Sequence, residues 1–147
     1  MNVLVFAPHP DDDVIGCGGA ICEHRRKGDG VTIVFLTSGE AGSLSVSPGE
    51  LGTIREGEAR RASEILGVED LVFLRFPDGY LDFSPVSIRT LVKLVREHKP
   101  DVVYLPHAQE GPRDHRVTHE LGLEAVRRAA GPWFQDCGGE LWPVKYV

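Results

Sequence analysis

A cluster of ionisable side chains lies near the start of the chain. His9 is followed, after one proline, by three consecutive carboxylates, Asp11, Asp12 and Asp13. Adjacent carboxylates repel one another and a tight turn needs at most one of them, so the run predicts a bound divalent cation. His9 and Asp12 stand three residues apart around a proline-constrained bend and can both reach one ion, while Asp11 stays free. The alternative is an ordinary turn and helix N-cap, and Asp13 by itself fits a first-turn carboxylate that complements the helix dipole.

A second His/Asp pair offers a further ligand. Asp114 and His115 follow the last of four apolar runs in the chain, and His115 is the candidate third ligand. Asp114 either caps the next helix or orients an imidazole from behind the ligands. His115 and His119 also have the spacing of the two zinc ligands in metalloproteases, but the Glu that follows the first His in that motif is absent.

A glycine-rich stretch, Gly16–Gly19, follows the first cluster. Its spacing differs from the Gly-x-Gly-x-x-Gly of dinucleotide-binding loops, because Ile21 stands where the third glycine would be. The aspartates before it put negative charge where a phosphate would bind. We expect these glycines to let a helix approach the sheet closely. A nucleotide-binding protein remains an alternative, and it predicts an affinity for NAD or ATP that survives a chelator.

The composition is typical of one globular domain. The chain has 147 residues, of which 41% are hydrophobic and 26% charged, and its formal charge is −6. An acidic balance without a Lys/Arg run argues against nucleic-acid binding, and no apolar stretch approaches the roughly 18 residues that would suggest membrane insertion. Cys17, Cys22 and Cys137 look like small core residues, and no secretory signal precedes them, so we expect a cytoplasmic location.

Four apolar runs rich in β-branched and aromatic residues predict buried strands. They are Val3–Phe6, Val31–Leu36, Leu71–Leu74 and Val102–Leu105. Helical patterns are Ile15–Lys27, Arg55–Leu66, a segment opening at Ser84–Pro85, and Arg116–Ala130. This alternation predicts an α/β, Rossmann-like fold, with a mostly parallel sheet flanked by helices on both faces. We also expect a long Ser/Gly loop over 38–52 and the start of a fifth strand at 142–147.

Polar residues follow each predicted strand. Besides the His9 cluster they are Thr37–Glu40, Pro77–Gly79 and Pro106–His107. Ligands of open parallel sheets bind beyond the carboxyl ends of the strands. The sequence therefore predicts a single site along that edge.

These motifs, in this order, resemble the LmbE-like, or PIG-L, family of zinc-dependent N-acetylglucosamine deacetylases. The resemblance rests on Ala7–Asp13, Gly16–Gly19, Thr37–Glu40, Arg55-x-x-Glu58-Ala59, Leu66–Gly67, Pro77–Gly79 and Asp114–Val117. It spans nearly the whole chain, and the opening motif is its most specific part.

The resemblance implies a metal site with defined roles. His9, Asp12 and His115 would hold one Zn²⁺, Asp11 would be the general base, and Asp114 would support the ligands from behind. Three protein ligands leave an open position for the attacking water. The implied reaction removes an acetyl group from a small N-acetylglucosamine-type sugar or sugar conjugate.

The resemblance also implies substrate contacts, and the chain departs from the family beside them. Arg55 and Asp78 match positions near the substrate. The family's usual His-Pro-Asp-His reads Pro112-Arg113-Asp114-His115 here, so a His assigned to oxyanion stabilisation or leaving-group protonation is missing. His107 or Arg113 could substitute for it.

Family members usually continue past residue 147. We therefore expect one deacetylase domain, 1–147, that lacks the family's C-terminal segment, and we leave self-association into a homo-oligomer open. Besides the nucleotide-binding protein, two alternatives to the deacetylase remain. One is a catalytically impaired metal-binding relative, and the other is a non-haem Fe(II) enzyme that uses the same two imidazoles and one carboxylate.

Overall fold

The computed structural model describes residues 1–147 and contains one four-stranded parallel sheet. Its strands are β1 (Asn2–Ala7), β2 (Gly30–Phe35), β3 (Asp70–Phe73) and β4 (Val102–Tyr104), in the spatial order β3-β2-β1-β4. β1 lies in the middle, with Phe6 opposite Val34 of β2 and Leu4 opposite Val103 of β4. The predicted α/β fold with a parallel sheet is confirmed.

Four helices connect or follow the strands. They are α1 (Asp12–Arg26), α2 (Pro48–Leu66), α3 (Pro85–His98) and α4 (Arg113–Ala129), and a short 3₁₀ helix covers Gln135–Cys137. None of them combines the length and the apolar character that would let it cross a lipid bilayer.

The two faces of the sheet bury two separate hydrophobic cores. Leu4 and Phe6 of β1 point to the side on which α3 and α4 pack, whereas Val3 and Val5 point to the side covered by α1 and α2. Because successive side chains of a strand alternate between faces, a strand buried on both sides reads as one unbroken apolar run. Helices on both faces were expected from this pattern, and the prediction is confirmed.

The start of α2 was predicted wrongly. We expected residues 38–52 to form a loop, but the helix begins at Pro48, seven residues before Arg55. The signal was present in Ser47 and Pro48, which occupy the N-cap and the first helical position. Glycine and serine are poor helix formers, and their abundance in this segment masked it.

Three further expectations need correction. The C-terminal segment forms no strand, and only an isolated bridge pairs Tyr146 with Val102. Cys22 is exposed and is not a core residue. A Cβ built on Gly16 or Gly19 would meet no atom within 4 Å, so these two glycines are not needed for close packing against the sheet.

The strand order fixes where a site can form. From β1 the chain crosses to β2 on one side, whereas β4 lies on the other side of β1 and is reached only after α3. The connections therefore diverge between β1 and β4, which leaves a crevice outside the carboxyl ends of these two strands. α1 and α4 both begin at this crevice. Asp12 and His115 lie in their first turns, and His9 lies in the connection between β1 and α1.

Candidate metal centre

Three predicted ligands converge on one point at the end of β1. His9 Nδ1 lies 3.1 Å and His115 Nε2 lies 3.3 Å from the same oxygen, Asp12 Oδ2. Oδ2 of Asp12 also accepts a hydrogen bond of 2.9 Å from the backbone N–H of His9, so the bend itself aims this carboxylate. His115 arrives from the first turn of α4. One nitrogen or oxygen atom of each residue lies within 4.8 Å of the others.

These separations suit a tetrahedral cation. Ligand atoms about 2.1 Å from a zinc ion at tetrahedral angles are about 3.4 Å apart. The two measured separations, 3.1 and 3.3 Å, are close to that value. The donor set of two imidazoles and one carboxylate fits Zn²⁺ and several other divalent ions.

Each imidazole is held from behind by a carboxylate. His115 Nδ1 lies 2.6 Å from Glu110 Oε2, and His9 Nε2 lies 3.0 Å from Asp78 Oδ1. With the outer nitrogen of each ring donating to a carboxylate, the inner nitrogen presents a lone pair toward Asp12. Metal-binding histidines usually have this second hydrogen bond, which fixes the ring's tautomer and orientation.

The charges around His9 also favour a cation. Burial acts to lower the pKa of this imidazole, but a hydrogen bond to Asp12 and the charges of Asp12, Asp78 and Asp114 together raise the pKa above its ordinary value. Three carboxylates therefore favour positive charge at this point of the structure. A bound metal ion would supply that positive charge.

A second group of possible ligands, His9, Asp78 and Asp114, lies on the outer side of the His9 ring. Its carboxylates already accept hydrogen bonds from backbone N–H groups. Both oxygens of Asp114 accept N–H groups, at 2.7 Å from Gly79 and 3.3 Å from Leu81, and Asp78 Oδ2 accepts that of Ala41 at 2.9 Å. These contacts make Asp78 and Asp114 supports of the His9 ring.

Asp11 belongs to neither group of possible ligands. Its side chain is half-exposed, and Oδ2 receives a hydrogen bond of 3.1 Å from Arg55 Nη2. The same guanidinium donates through Nη1 to the carbonyl of Gly39 at 3.1 Å. Gly39 has φ of +64°, and a Cβ there would collide with Arg55, so glycine is required at this position.

Asp13 lies in the first turn of α1, as expected, but it is buried. Its Oδ2 has no hydrogen-bond partner. Burial raises the pKa of this carboxyl to about 6, and the neighbouring charges of Asp11 and Asp12 act in the same direction. Asp13 therefore differs in character from the two aspartates before it.

The two candidate substitutes for the missing family histidine, His107 and Arg113, have different surroundings. His107 lines the same cleft as Asp12 and His115, and its Nδ1 accepts a hydrogen bond from the backbone N–H of Gln109 at 3.3 Å. Arg113 instead donates to the carbonyl of Leu81 at 2.5 Å. Pro112 is the N-cap residue of α4.

His119 and Glu110 are two further ionisable residues close to the site. Nδ1 of His119 lies 2.8 Å from the carbonyl oxygen of Pro106, and His119 belongs to neither group of possible ligands. No sequence motif singles out Glu110, which supports His115 from a loop position five residues before it. Its only signal is that an acidic residue precedes a predicted ligand, and this pattern is common on protein surfaces.

Comparison with known proteins agrees with the motifs. The family model of PIG-L, described as GlcNAc-PI de-N-acetylase, matches residues 4–126. The diacetylchitobiose deacetylase of Thermococcus kodakarensis is 38% identical over 138 residues, which are 90% of this chain and 52% of that protein. The chain thus spans about half the length of the curated relative it matches.

Solved structures share the fold. The N,N'-diacetylchitobiose deacetylase of Pyrococcus horikoshii, solved with its inhibitor MPG, has a TM-score of 0.90 at 35% identity, covering 96% of this chain and 56% of that one. GalB from Pseudomonas putida KT2440, a 4-carboxy-2-hydroxymuconate hydratase, has a TM-score of 0.87 at 26% identity, covering 98% of this chain and 62% of that one. The same architecture therefore occurs in proteins named for two different reactions.

Proposed function

We propose that this chain, which belongs to the PIG-L family, carries the catalytic site of a metal-dependent de-N-acetylase for N-acetylglucosamine-type amides. The relatives named above support the reaction class. The observation that carries the proposal is the convergence of His9 Nδ1 and His115 Nε2 on Asp12 Oδ2, each ring being backed by its own carboxylate. We assign these three residues as ligands of one divalent cation, with Zn²⁺ as the expected ion.

Asp11 is the proposed general base. A cation held by His9, Asp12 and His115 would polarise the amide carbonyl and lower the pKa of water. Asp11 adjoins the ligand Asp12 in sequence, is half-exposed, and has one oxygen held by Arg55. The carboxylate can then take a proton from the attacking water and return it to the leaving nitrogen. Arg55 orients this carboxylate through its hydrogen bond. We propose that Arg55 also contacts the substrate.

His107 is the proposed donor to the leaving group or to the developing oxyanion. Its Nδ1 accepts a backbone N–H, so the neutral ring carries its proton on Nε2. It lines the cleft that Asp12 and His115 also line. Arg113 is the weaker candidate for this role because its guanidinium is bound to the Leu81 carbonyl.

The likeness to GalB favours one second candidate, addition of water to a carbon–carbon double bond. Such a hydratase would need the same cation and the same base but would release no acetate. A non-haem Fe(II) oxygenase is a third use of this ligand set, and it would consume dioxygen. We further propose that residues 1–147 form a single domain; location in the cytoplasm and self-association stay predictions.

Metal analysis combined with product detection tests the proposal. The purified protein should contain about one divalent ion per chain, should release acetate and free amine from N-acetylglucosamine or N,N'-diacetylchitobiose, should lose this activity with a chelator and should regain it with Zn²⁺. Hydration of a conjugated enol acid without acetate release would favour the hydratase. Loss of activity only on removal of iron, together with oxygen uptake, would overturn the hydrolase.

A further inference from the structure

A cleft of about 390 Å³ opens beside the candidate ligands, between the start of α1 and the loop that follows β4. Its floor is formed by the ends of β1 and β4, including Ala7 and Tyr104. Asp12 and His115 lie in its wall, whereas Asp11 and Arg55 are not among the residues that line it. We call this space the acyl cleft.

The acyl cleft is partly apolar although it adjoins a charged site. Half of the residues that line it are hydrophobic. Ile15 lies in the lining and is 80% exposed, so a branched aliphatic side chain is left in water next to the ligand Asp12. Small-molecule sites are typically concave spaces with apolar walls and a few polar groups, and this cleft has that composition.

The floor of the cleft is fixed in place. The hydroxyl of Tyr104 donates to His24 Nε2 at 3.0 Å, and His24 Nδ1 in turn donates to Asp29 Oδ2 at 2.7 Å. Tyr104 therefore cannot swing into the cleft without breaking this part-buried chain of hydrogen bonds. At the rim, Gly16 contributes no side chain, and a Cβ there would meet nothing within 4 Å.

The surroundings of the ligand cluster differ in polarity. Asp11 and Arg55, which do not line the acyl cleft, suit the hydroxyls of a sugar, whereas the apolar residues of the cleft suit hydrocarbon. An amide substrate has the same division, with the sugar on nitrogen and the alkyl chain on the carbonyl carbon. Placing the carbonyl at the cation then sends the alkyl chain into the cleft.

We propose that the acyl cleft binds the acyl arm of the substrate and accepts straight chains of about four to six carbons in preference to acetyl. This inference rests on the proposed amide hydrolysis. A water molecule takes about 30 Å³ in the liquid, and a methylene group is of similar size, so an acetyl methyl would leave most of the cleft empty. In the reaction, the water oxygen bonds to the acyl carbon, the carbon–nitrogen bond breaks, and the nitrogen takes up a proton, giving a free amine and an alkanoate.

A series of N-acylglucosamines tests the inference. We compare kcat/KM for the N-acetyl, N-butanoyl and N-hexanoyl compounds from the rate at which free glucosamine appears. Each methylene moved from water into an apolar site is worth up to about fourfold, so we expect the hexanoyl compound to exceed the acetyl compound by about tenfold or more.

A pair of matched glycine variants locates the effect. Gly16→Leu fills the rim of the cleft and should lower the hexanoyl-to-acetyl ratio by about tenfold. Gly19→Leu is the control, because Gly19 is exposed, has equally open space around it and does not line the cleft. It should leave the ratio as it is.

Binding of the alkanoates themselves gives a readout that needs no turnover. Calorimetric titration should show hexanoate binding about tenfold more tightly than acetate, and Gly16→Leu should remove the difference. Release of acetate with no gain for longer chains would overturn the acyl cleft and leave the deacetylase standing. Tighter hexanoate binding in a protein that cleaves none of the amides would overturn the proposed hydrolysis and support the cleft as an alkanoate site. Equal binding of the two alkanoates would overturn the cleft in either case.

Discussion

At the scale of single residues, three consecutive aspartates have three different environments. Asp12 is surrounded by two imidazoles, Asp11 is half-exposed beside a guanidinium, and Asp13 is buried with an unpartnered oxygen. The roles proposed for Asp12 and Asp11, metal ligand and general base, follow from these surroundings, whereas burial raises the pKa of Asp13 to about 6. Only the fold, which places the bend at the start of α1, separates these environments.

Asp11→Asn tests the assignment of the base. The substitution keeps the size of the side chain and a hydrogen bond to Arg55, so the fold and the metal content should persist. Loss of the basic carboxylate should lower kcat by about 10²–10⁴, the usual contribution of general-base catalysis. Acetate release and elemental analysis of the same preparation measure both quantities. Asp82→Asn, at an exposed position, is the control, and full activity in Asp11→Asn would remove Asp11 from the mechanism.

Glu110→Ala tests the support behind His115. Glu110 lies 2.6 Å from His115 Nδ1 and also accepts the backbone N–H of His107 at 3.0 Å. Without this carboxylate the ring can change tautomer and rotate, and losing such a partner usually weakens metal binding by about 10–100-fold. Competition with a chelating dye measures the metal dissociation constant directly. Glu120→Ala, an exposed change on α4, should have no effect, and Glu110→Asp should recover part of the affinity if the charge is what matters.

At the scale of elements, the connection after α4 depends on one buried arginine. Arg96 of α3 is fully buried, and its guanidinium is satisfied by main-chain carbonyls instead of a carboxylate. The acceptors are the carbonyls of Arg128, Ala129, Gly131, Trp133 and Phe134. Two of these belong to the C-terminal end of α4, whose negative dipole end favours a cation.

Arg96→Met should destabilise the protein strongly. The change keeps the apolar stem but leaves five carbonyls without their donor, so the free energy of unfolding should fall by about 3 kcal/mol or more. Urea denaturation measures this, and limited proteolysis should show faster cleavage within 130–139. Arg127→Met, on the exposed face of α4, serves as the matched control. A decrease in the free energy of unfolding below about 1 kcal/mol would mean that water can hydrogen-bond the five carbonyls in place of the guanidinium.

The strands and the meeting of His9, Asp12 and His115 at one edge of the sheet could be predicted from the sequence because their signals are local. Buried parallel strands give unbroken apolar runs, and residues that follow such strands meet at one edge of the sheet. Arg96 and Glu110 could not be found in this way. Arg96 occupies a position on an amphipathic helix where charge is ordinary, and its five acceptors lie more than thirty residues away in the chain. The prediction that Gly16 lets the helix pack closely on the sheet was wrong. A glycine in a helix leaves space beside it, and the sequence does not show whether that space is taken by the sheet or by a ligand.

At the scale of the whole molecule, the two ends of the chain meet near the amino-terminal end of β4. Asp101 accepts the backbone N–H of Asn2 at 2.9 Å and the ammonium of Lys145 at 2.5 Å. The ion pair with Lys145, followed by the hydrogen bond from Asn2, lowers the pKa of this carboxyl below its usual value. Glu56, through Arg75, and Glu140, through Lys99, have pKa values lowered in the same direction. All three carboxylates join segments that are distant in sequence.

These carboxylates predict how stability responds to acid. A carboxyl with a lower pKa in the folded state than in the unfolded state stabilises the fold fully above the unfolded pKa of about 4, and this contribution is lost as the pH falls through the folded pKa. Thermal unfolding of the metal-free protein should therefore show a melting temperature that falls below about pH 4. Asp101→Asn removes one titrating group, so it should lower the melting temperature at pH 7 and make the acid limb shallower. Glu97→Gln, in an exposed helical pair with Lys93, should leave the limb unchanged. An equally steep limb in Asp101→Asn would show that acid acts elsewhere and that the junction of the two chain ends does not depend on the charge of Asp101.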